Sequence, residues 1–147
     1  MSFYHAIEGI IKSVREERHM RIHISFANLI AVFAYFYGIS RTECAIIILI
    51  CGAVISAELL NTAVERAVDT ATKEFSDTAK LAKDSAAGAV LILAAAAVLI
   101  GFCVFGDFEK IKNTLIYIFT APRILLSCLA LGAADVLFVI FGGKNDR

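Results

Sequence analysis

Four long apolar segments dominate the chain. Residues 24–40, 44–57 and 85–106 contain no formally charged side chain, and residues 124–143 contain only Asp135. A helix that spans a bilayer needs about 20 mainly apolar residues. The pattern therefore predicts an all-α membrane protein with three core transmembrane helices and a fourth, C-terminal one. The predicted spans are residues 22–40, 44–64, 85–106 and 124–143, each to within a few positions.

Residues 3–21 carry a different pattern. Apolar side chains recur there at helical spacing, and charged side chains such as Glu8, Lys12 and Arg15 lie on other faces. The apolar positions are Phe3, Ala6, Ile7, Ile10, Ile11 and Val14. This period predicts an amphipathic helix that lies in the membrane surface, or one that packs on the protein's own bundle.

Lys and Arg are concentrated in the N-terminal arm before residue 22, in residues 66–84 and in the C-terminal tail. The loop after the first predicted span offers only Arg41, and in the loop after the third span two lysines are balanced by two acids. The positive-inside rule therefore predicts four spans in the plasma (inner) membrane, with both chain ends in the cytoplasm. Pro122 and Arg123 then mark the outer start of the fourth span.

The composition supports a membrane protein and narrows its chemistry. Apolar residue types make up 59% of the 147 residues and the mean hydropathy is +0.77, against about 45–50% apolar residues in an average soluble domain. The 14 basic and 14 acidic side chains cancel, which argues against nucleic-acid binding through bulk charge. Cys44, Cys51, Cys103 and Cys128 form no CxxC pair, and we interpret them as small packing residues.

A row of polar residues interrupts the second apolar segment. Glu58, Asn61, Glu65 and Asp69 follow one another at i, i+3, i+7 and i+11, with mainly apolar residues between them. At about 3.6 residues per turn they fall within about 80° of one helix face. We call these four residues the carboxylate stripe. It runs from the predicted membrane interior toward the cytoplasmic surface.

The carboxylate stripe is costly in a membrane. One acid near the bilayer centre costs about 2.5–3.5 kcal/mol on insertion scales, and aligned carboxylates repel one another. A divalent metal, Lys or Arg from another segment, or protons could offset that cost. The alternative is a purely structural seam of buried ion pairs between helices.

Two other segments offer partners for the stripe. Lys83 and Asp84 lie at the mouth of the third span, at the depth expected for the Glu65–Asp69 end. Lys83 either binds phosphate or serves only as a positive-inside anchor. In the N-terminal arm, Glu17 either pairs with Arg21, four residues on, or faces the stripe and completes a metal site.

The candidate metal ligands are oxygen donors, which suit Mg²⁺ together with phosphate oxygens and water. His19 and His23 also stand four residues apart, as Zn²⁺ ligands can, but nothing else in the arm supports zinc. The chain has no Walker A loop and no GxGxxG motif after a strand, so an enzyme acting on phosphates would not use a standard nucleotide fold. All three histidines lie in the N-terminal arm, which leaves no Ser–His–Asp set.

Three motifs together form a specific signature: ExxxRIH in the N-terminal arm, ExLNTAVExxVD along the stripe, and AKxAKDxAAGAV at the start of the third span. They resemble the prokaryotic diacylglycerol kinase / undecaprenol kinase family over residues 3–106. The resemblance implies a membrane lipid kinase domain at residues 1–106 and a C-terminal extension at residues 107–147. It implies a transferase of lipid metabolism that moves the γ-phosphate of ATP to a lipid hydroxyl, with Mg²⁺ as cofactor, in homotrimers with shared active sites.

The resemblance also implies roles position by position. Glu58 matches the general base, and Glu17 and Glu65 match the metal ligands. Asn61 and Arg21 match positions that orient the site. The implied nucleotide contacts are Glu17, Glu65, Asp69, Phe75, Ser76, Asp77, Lys83 and Asp84.

The lipid acceptor and a competing class of function stay open at this point. The LNTAVE segment resembles shorter Gram-positive-type members, which favours undecaprenol; the alternative is diacylglycerol, whose kinase makes phosphatidic acid. The chain departs from the family pattern at His19 and Ser76, which bears on nucleotide preference.

A non-enzymatic cation or proton pathway would also use aligned carboxylates. However, residues 85–106 carry no acid or base to continue such a pathway.

Overall fold

The computed structural model describes residues 3–72, 74 and 76–143. These residues form six helices and no strand, which confirms the predicted all-α fold. The helices are α1 (Phe3–Glu16), α2 (Arg18–Tyr37), α3 (Arg41–Ala71), α4 (Asp77–Val104), α5 (Phe108–Thr120) and α6 (Pro122–Phe141). Among them, α2, α3, α4 and α6 are long and apolar enough to cross a membrane, in agreement with the four predicted spans.

Local signals set the ends of the spanning helices. Gly38 ends α2 in a left-handed conformation (φ 69°), which glycine adopts without strain. Ser40 and Glu43 form a capping box at the start of α3. The Ser40 hydroxyl accepts from the Glu43 N–H at 3.3 Å, and the Glu43 carboxylate accepts from the Ser40 N–H at 2.7 Å. Pro122 opens α6, as predicted.

The helical hairpin of α3 and α4 is longer than the predicted spans. The second span was predicted to end at residue 64 and the third to begin at residue 85, whereas α3 continues to Ala71 and α4 begins at Asp77. The helices extend beyond the predicted spans because a charged residue ends an apolar run without ending a helix, and the span limits themselves stay predictions. At about 1.5 Å per residue α3 is about 46 Å long, against about 30 Å for the hydrocarbon core. The part of α3 that extends beyond the predicted span is its C-terminal end, which carries Glu65 and Asp69.

The predicted surface helix over residues 3–21 is wrong at its C-terminal end. The first helix stops at Glu16, Glu17 is extended (φ −102°, ψ 120°), and residues 18–21 belong to α2. On the two sides of the bend the environments differ: Met20 is completely buried in the bundle, whereas the apolar face of α1 stays exposed, as a helix in a membrane surface requires. α1 also contacts α2 and α3, so it packs on the bundle as well.

Helix α5 is an element that the apolar pattern did not predict. Asp107 caps it by accepting from the Lys110 N–H at 3.0 Å. The Lys110 ammonium donates to the Gly38 carbonyl at 3.3 Å and lies 4.2 Å from the centre of the Tyr37 ring. These contacts hold the start of α5 against the loop between α2 and α3.

The C-terminal helix α6 runs antiparallel to α2. The Asn28 amide on α2 donates to both carboxylate oxygens of Asp135, at 2.9 and 3.1 Å. Nearer the start of α2, Arg21 donates to the Val139 carbonyl at 3.3 Å. The one acid in the fourth predicted span therefore has a polar partner on the neighbouring span, which offsets the cost of carrying it in a membrane.

We expect Asn28→Leu to lower the stability of the folded chain, because the Asp135 carboxylate then loses its partner. Hydrogen bonds between membrane helices contribute about 0.6–1.7 kcal/mol, so the thermal unfolding midpoint in detergent should fall. The double variant Asn28→Leu/Asp135→Leu removes both polar groups and should recover most of the loss. Equal midpoints for Asn28→Leu and the wild type would contradict the pairing.

The four cysteines are free, and two of them are not packing residues within the chain. Cys44 and Cys103 are exposed, so their predicted role was wrong in this respect, whereas Cys51 and Cys128 are partly buried. A spanning helix leaves one face to lipid, and a cysteine thiol is apolar enough to lie on that face.

Candidate active site

The carboxylate stripe occupies one face of α3, and its members meet different partners along the helix. Of the four stripe residues, Glu58 lies farthest from the C-terminal end of α3, and it is only 5% exposed. Its Oε2 lies 4.0 Å from Nε2 of His23 on α2. Sequence reasoning considered His23 only as a zinc ligand; what it lacked was the packing of α2 on α3, which brings this histidine to the buried acid.

The next two members of the stripe are joined to each other. The Asn61 amide nitrogen donates to Glu65 Oε1 at 3.1 Å, so the amide fixes the orientation of the carboxylate one turn away. The Asn61 Oδ1 atom is buried and has no hydrogen-bond partner. A buried acceptor in this state costs free energy, and a cation or a hydroxyl group at this position would remove that cost.

The bend between α1 and α2 docks on α3 through an arginine. Arg66 Nη2 lies 2.8 Å from Glu16 Oε2 and 3.2 Å from Glu17 Oε1. Because Arg66 follows Glu65 in α3, this ion pair brings Glu17 to the level of Glu65 along the helix. Sequence reasoning missed Arg66, although it lies inside the ExxVD part of the motif.

Lys83 of α4 forms an ion pair with Asp69 at the end of the stripe. This confirms the prediction that Lys83 lies at the depth of the Glu65–Asp69 end. Both side chains keep part of their surface exposed, 35% for Lys83 and 67% for Asp69. A phosphate could therefore reach the ammonium group, and this pair is not a buried ion pair.

The connection between α3 and α4 carries other predicted nucleotide contacts. Ser76 caps α4, and its hydroxyl accepts from the Ala79 N–H at 3.5 Å. Asp77 lies in the first turn of α4 and, like Asp84, is exposed. Phe75 lies outside the residues that the structure describes.

Arg21 lies away from the stripe, and the i, i+4 pair with Glu17 is not formed. Its Nη1 donates to the carbonyls of Val14 and Arg15 at 3.0 and 3.1 Å, and its Nε donates to Val139. The pairing was wrong because the chain bends at Glu17, and helical spacing does not hold across a bend. Arg21 therefore acts on the backbone near Glu17 and does not contact its carboxylate.

An apolar groove of about 380 Å³ lies between α2, α3 and α4. His23 stands in its wall, and Val54, one turn before Glu58, lies opposite on α3. The remaining wall is made by apolar side chains and glycine. They are Ile22, Phe26, Ala27, Ile30, Cys51, Ala94, Ala97, Val98, Gly101 and Phe105. The groove can hold a hydrocarbon chain with its polar end near His23 and Glu58.

The donor set near the stripe fits Mg²⁺ only together with a ligand that brings its own oxygens. In the parts of the chain that the structure describes, no group of three or more His, Cys, Asp or Glu side chains is placed to hold a metal. The donors present are the carboxylates of Glu17 and Glu65 and the unpartnered Asn61 Oδ1. Mg²⁺ is commonly held by one or two carboxylates with phosphate oxygens and water, which matches this set.

Comparison with known proteins decides the family. The model for prokaryotic diacylglycerol kinase matches residues 4–105. The chain belongs to this family. The predicted resemblance is thereby confirmed, and with it the enzyme class, a lipid kinase.

Two curated relatives are named after different lipid acceptors. Undecaprenol kinase of Bacillus subtilis (strain 168) is 40% identical over 104 residues, which cover 71% of this chain and 85% of that protein. Diacylglycerol kinase of Synechocystis sp. is 38% identical over 104 residues, which cover 70% of this chain and 59% of that protein. No solved structure matches the chain.

The family match ends one residue beyond α4. Every predicted site residue lies inside it, and so do His23 and Arg66. By contrast, α5 and α6 lie outside it. The family match therefore covers the whole candidate site, and the two C-terminal helices need an explanation from this chain's own contacts.

Proposed function

We propose that this protein transfers the γ-phosphate of ATP to undecaprenol. The relative named undecaprenol kinase, similar over most of its length, supports this acceptor. The observation that carries the proposal is the buried Glu58 carboxylate, which lies beside an apolar groove and on the same helix face as Glu65 and Asp69. Diacylglycerol is the second candidate acceptor, supported by the Synechocystis relative.

The proposed reaction begins at Glu58. The apolar chain of the acceptor occupies the groove, and its hydroxyl lies near His23 and Glu58. The carboxylate accepts the hydroxyl proton while the hydroxyl oxygen forms a bond to the γ-phosphorus. The bond from that phosphorus to the bridging oxygen of ADP breaks, and its electron pair leaves with ADP. The products are the lipid phosphate and ADP.

Glu17 and Glu65 are the residues that would hold Mg²⁺, and Asn61 keeps Glu65 in orientation. When bound, the ion neutralises charge on the phosphate oxygens. Arg66 also forms an ion pair with Glu17, which is compatible with the packing of α1 on α3. Positioning and charge then provide most of the rate enhancement.

The nucleotide is proposed to lie at the cytoplasmic end of the stripe. Lys83 offers a positive charge to the phosphates, and Asp69 and Asp84 offer acceptors on the two facing helices. Ser76 and Asp77, and Phe75 beyond the described residues, complete the proposed nucleotide contacts. The basic side chains near this end support a location at the cytoplasmic face of the plasma membrane by the positive-inside rule.

We expect Lys83→Ala to raise the KM for ATP by about tenfold or more, because a hydrogen bond to a charged group contributes about 1.5–3 kcal/mol. The KM for the lipid should stay the same. Lys80→Ala is the matched control, since Lys80 is an exposed lysine one turn earlier on α4. Initial rates at varied ATP check this. An equal effect of the two variants would mean that Lys83 is only a membrane anchor.

A homotrimer with shared active sites is part of the proposal. It is supported by the resemblance and by α4, of whose most apolar 18 residues only 6% are buried within one chain. Native mass spectrometry of the detergent-solubilised protein should give a mass of three chains. A single-chain mass in a detergent that preserves activity would contradict this.

A purified-protein assay with radiolabelled ATP and a panel of lipid alcohols tests the function directly. Label in undecaprenyl phosphate supports the proposal, and label in phosphatidic acid replaces the acceptor by diacylglycerol. Transfer to neither lipid, in protein that retains its thermal transition, would favour the non-enzymatic cation or proton pathway. Cation flux in sealed proteoliposomes would then measure that alternative.

A further inference from the structure

The guanidinium of Arg21 lies at the C-terminal ends of two helices. Only 6% of the residue is exposed, and its donors bind the carbonyls of Val14 and Arg15 in the last turn of α1 and of Val139 in the last turn of α6. The last carbonyls of a helix have no partner within it and carry partial negative charge. One buried cation therefore satisfies both helix ends and joins them.

Two glycines allow the end of α6 to come this close. A Cβ on Gly143 would lie 2.9 Å from Arg21 Nη2. A Cβ on Gly142 would meet the Phe138 carbonyl oxygen and ring first and would lie 3.2 Å from Arg21 Cδ. A Cβ on Gly132, within α6, would meet nothing within 4 Å. In α6 the backbone therefore comes close to Arg21 at its C-terminal end and not at Gly132. Any side chain at Gly143 must displace the guanidinium or the chain end.

We propose that the C-terminal end of α6 is a positioning element for the kinase site. It holds Arg21 against the last turn of α1, and α1 ends at the residue before Glu17. Through this bend Glu17 meets Arg66, next to Glu65 on α3. The effect on catalysis rests on the proposed role of Glu17 as a Mg²⁺ ligand, whereas the effect on the bend does not.

The position of α6 is fixed a second time along the same interface. Asn28 and Asp135 pair about two helical turns from Arg21, so α6 is held in register with α2 rather than only touching it at one end. Because α6 lies beyond the family match at residues 4–105, the positioning element is an addition to the kinase core of this chain.

The first readout is the Mg²⁺ dependence of phosphate transfer. Partners that orient metal ligands contribute about 10–100-fold to metal affinity. We expect Gly143→Val to raise the half-saturating Mg²⁺ concentration by about tenfold and Gly143→Ala to raise it less. The KM for the lipid should not change in either variant. Gly132→Val is the matched control, in the same helix, and should keep the wild-type Mg²⁺ dependence.

The second readout does not need activity. Arg15 and Arg18 flank the bend and are exposed, so trypsin can cleave there once the bend opens. Cleavage at these two sites, measured in detergent, should be several-fold faster in the Gly143 variants than in Gly132→Val, by the same loss of hydrogen bonds. If Gly143→Val does not accumulate in membranes, Gly143→Ala is compared with Gly132→Val in both the Mg²⁺ dependence and the rate of trypsin cleavage.

The outcomes separate this proposal from the proposed function. Equal cleavage and equal Mg²⁺ dependence in the Gly143 and Gly132 variants would overturn the positioning role. A wild-type protein without kinase activity would end the proposed function, and the trypsin comparison would still decide whether α6 holds the bend. A loss of lipid affinity together with Mg²⁺ affinity would show general unfolding and would also overturn the proposal.

Discussion

Glu58→Gln should give a folded protein that binds ATP and transfers phosphate at least about a hundredfold more slowly, since general-base catalysis contributes about 10²–10⁴-fold. Glutamine keeps the size of the side chain in its buried position but cannot take a proton from the lipid hydroxyl. The measurement is the rate of transfer at saturating ATP and lipid, with ATP binding followed separately.

The matched control is Glu109→Gln, an exposed acid paired with Lys112 near the start of α5. It should leave the rate unchanged. Near-normal transfer by Glu58→Gln would remove this residue from the reaction. Loss of ATP binding together with transfer would instead give Glu58 a structural role.

Glu17→Gln and Glu65→Gln should each raise the Mg²⁺ concentration needed for half-maximal transfer, by about tenfold or more, because an amide is a much weaker ligand for this cation than a carboxylate. At saturating Mg²⁺ part of the rate should return. The structure supplies a strict control, since Glu16 and Glu17 contact the same nitrogen of Arg66.

Glu16→Gln removes a comparable ion pair without removing a proposed ligand. It should therefore leave the Mg²⁺ dependence as in the wild type. If Glu16→Gln and Glu17→Gln shift it equally, the two acids only dock α1 on α3, and the metal site does not include Glu17.

The sequence was sufficient to predict the features that depend on one helix at a time. The four spans follow from apolar length, and the stripe follows from the helical period of Glu58, Asn61, Glu65 and Asp69. The approach of Lys83 to Asp69 was also predictable, because a short connection between two spans forces their adjacent ends together. These properties depend on local spacing and on the thickness of a bilayer.

The features that depend on contacts between distant segments could not be predicted. At the bend, Arg21 contacts both the last turn of α1 and α6, which lies more than a hundred residues away. His23 becomes a neighbour of Glu58 only when α2 packs on α3. Helix α5 was missed for a different reason. Its start carries four charged residues, Asp107, Glu109, Lys110 and Lys112. Because of these charges, the segment did not stand out as an apolar helix in the sequence pattern.

The proposed function requires that Mg²⁺ and the phosphates of ATP bind against the carboxylate stripe. Electron paramagnetic resonance of Mn²⁺, used in place of Mg²⁺ with a non-hydrolysable ATP analogue, measures this binding without any lipid. We expect one nucleotide-dependent Mn²⁺ site per chain in the wild type and its loss in Glu17→Gln/Glu65→Gln. Undiminished Mn²⁺ binding in that double variant would contradict it.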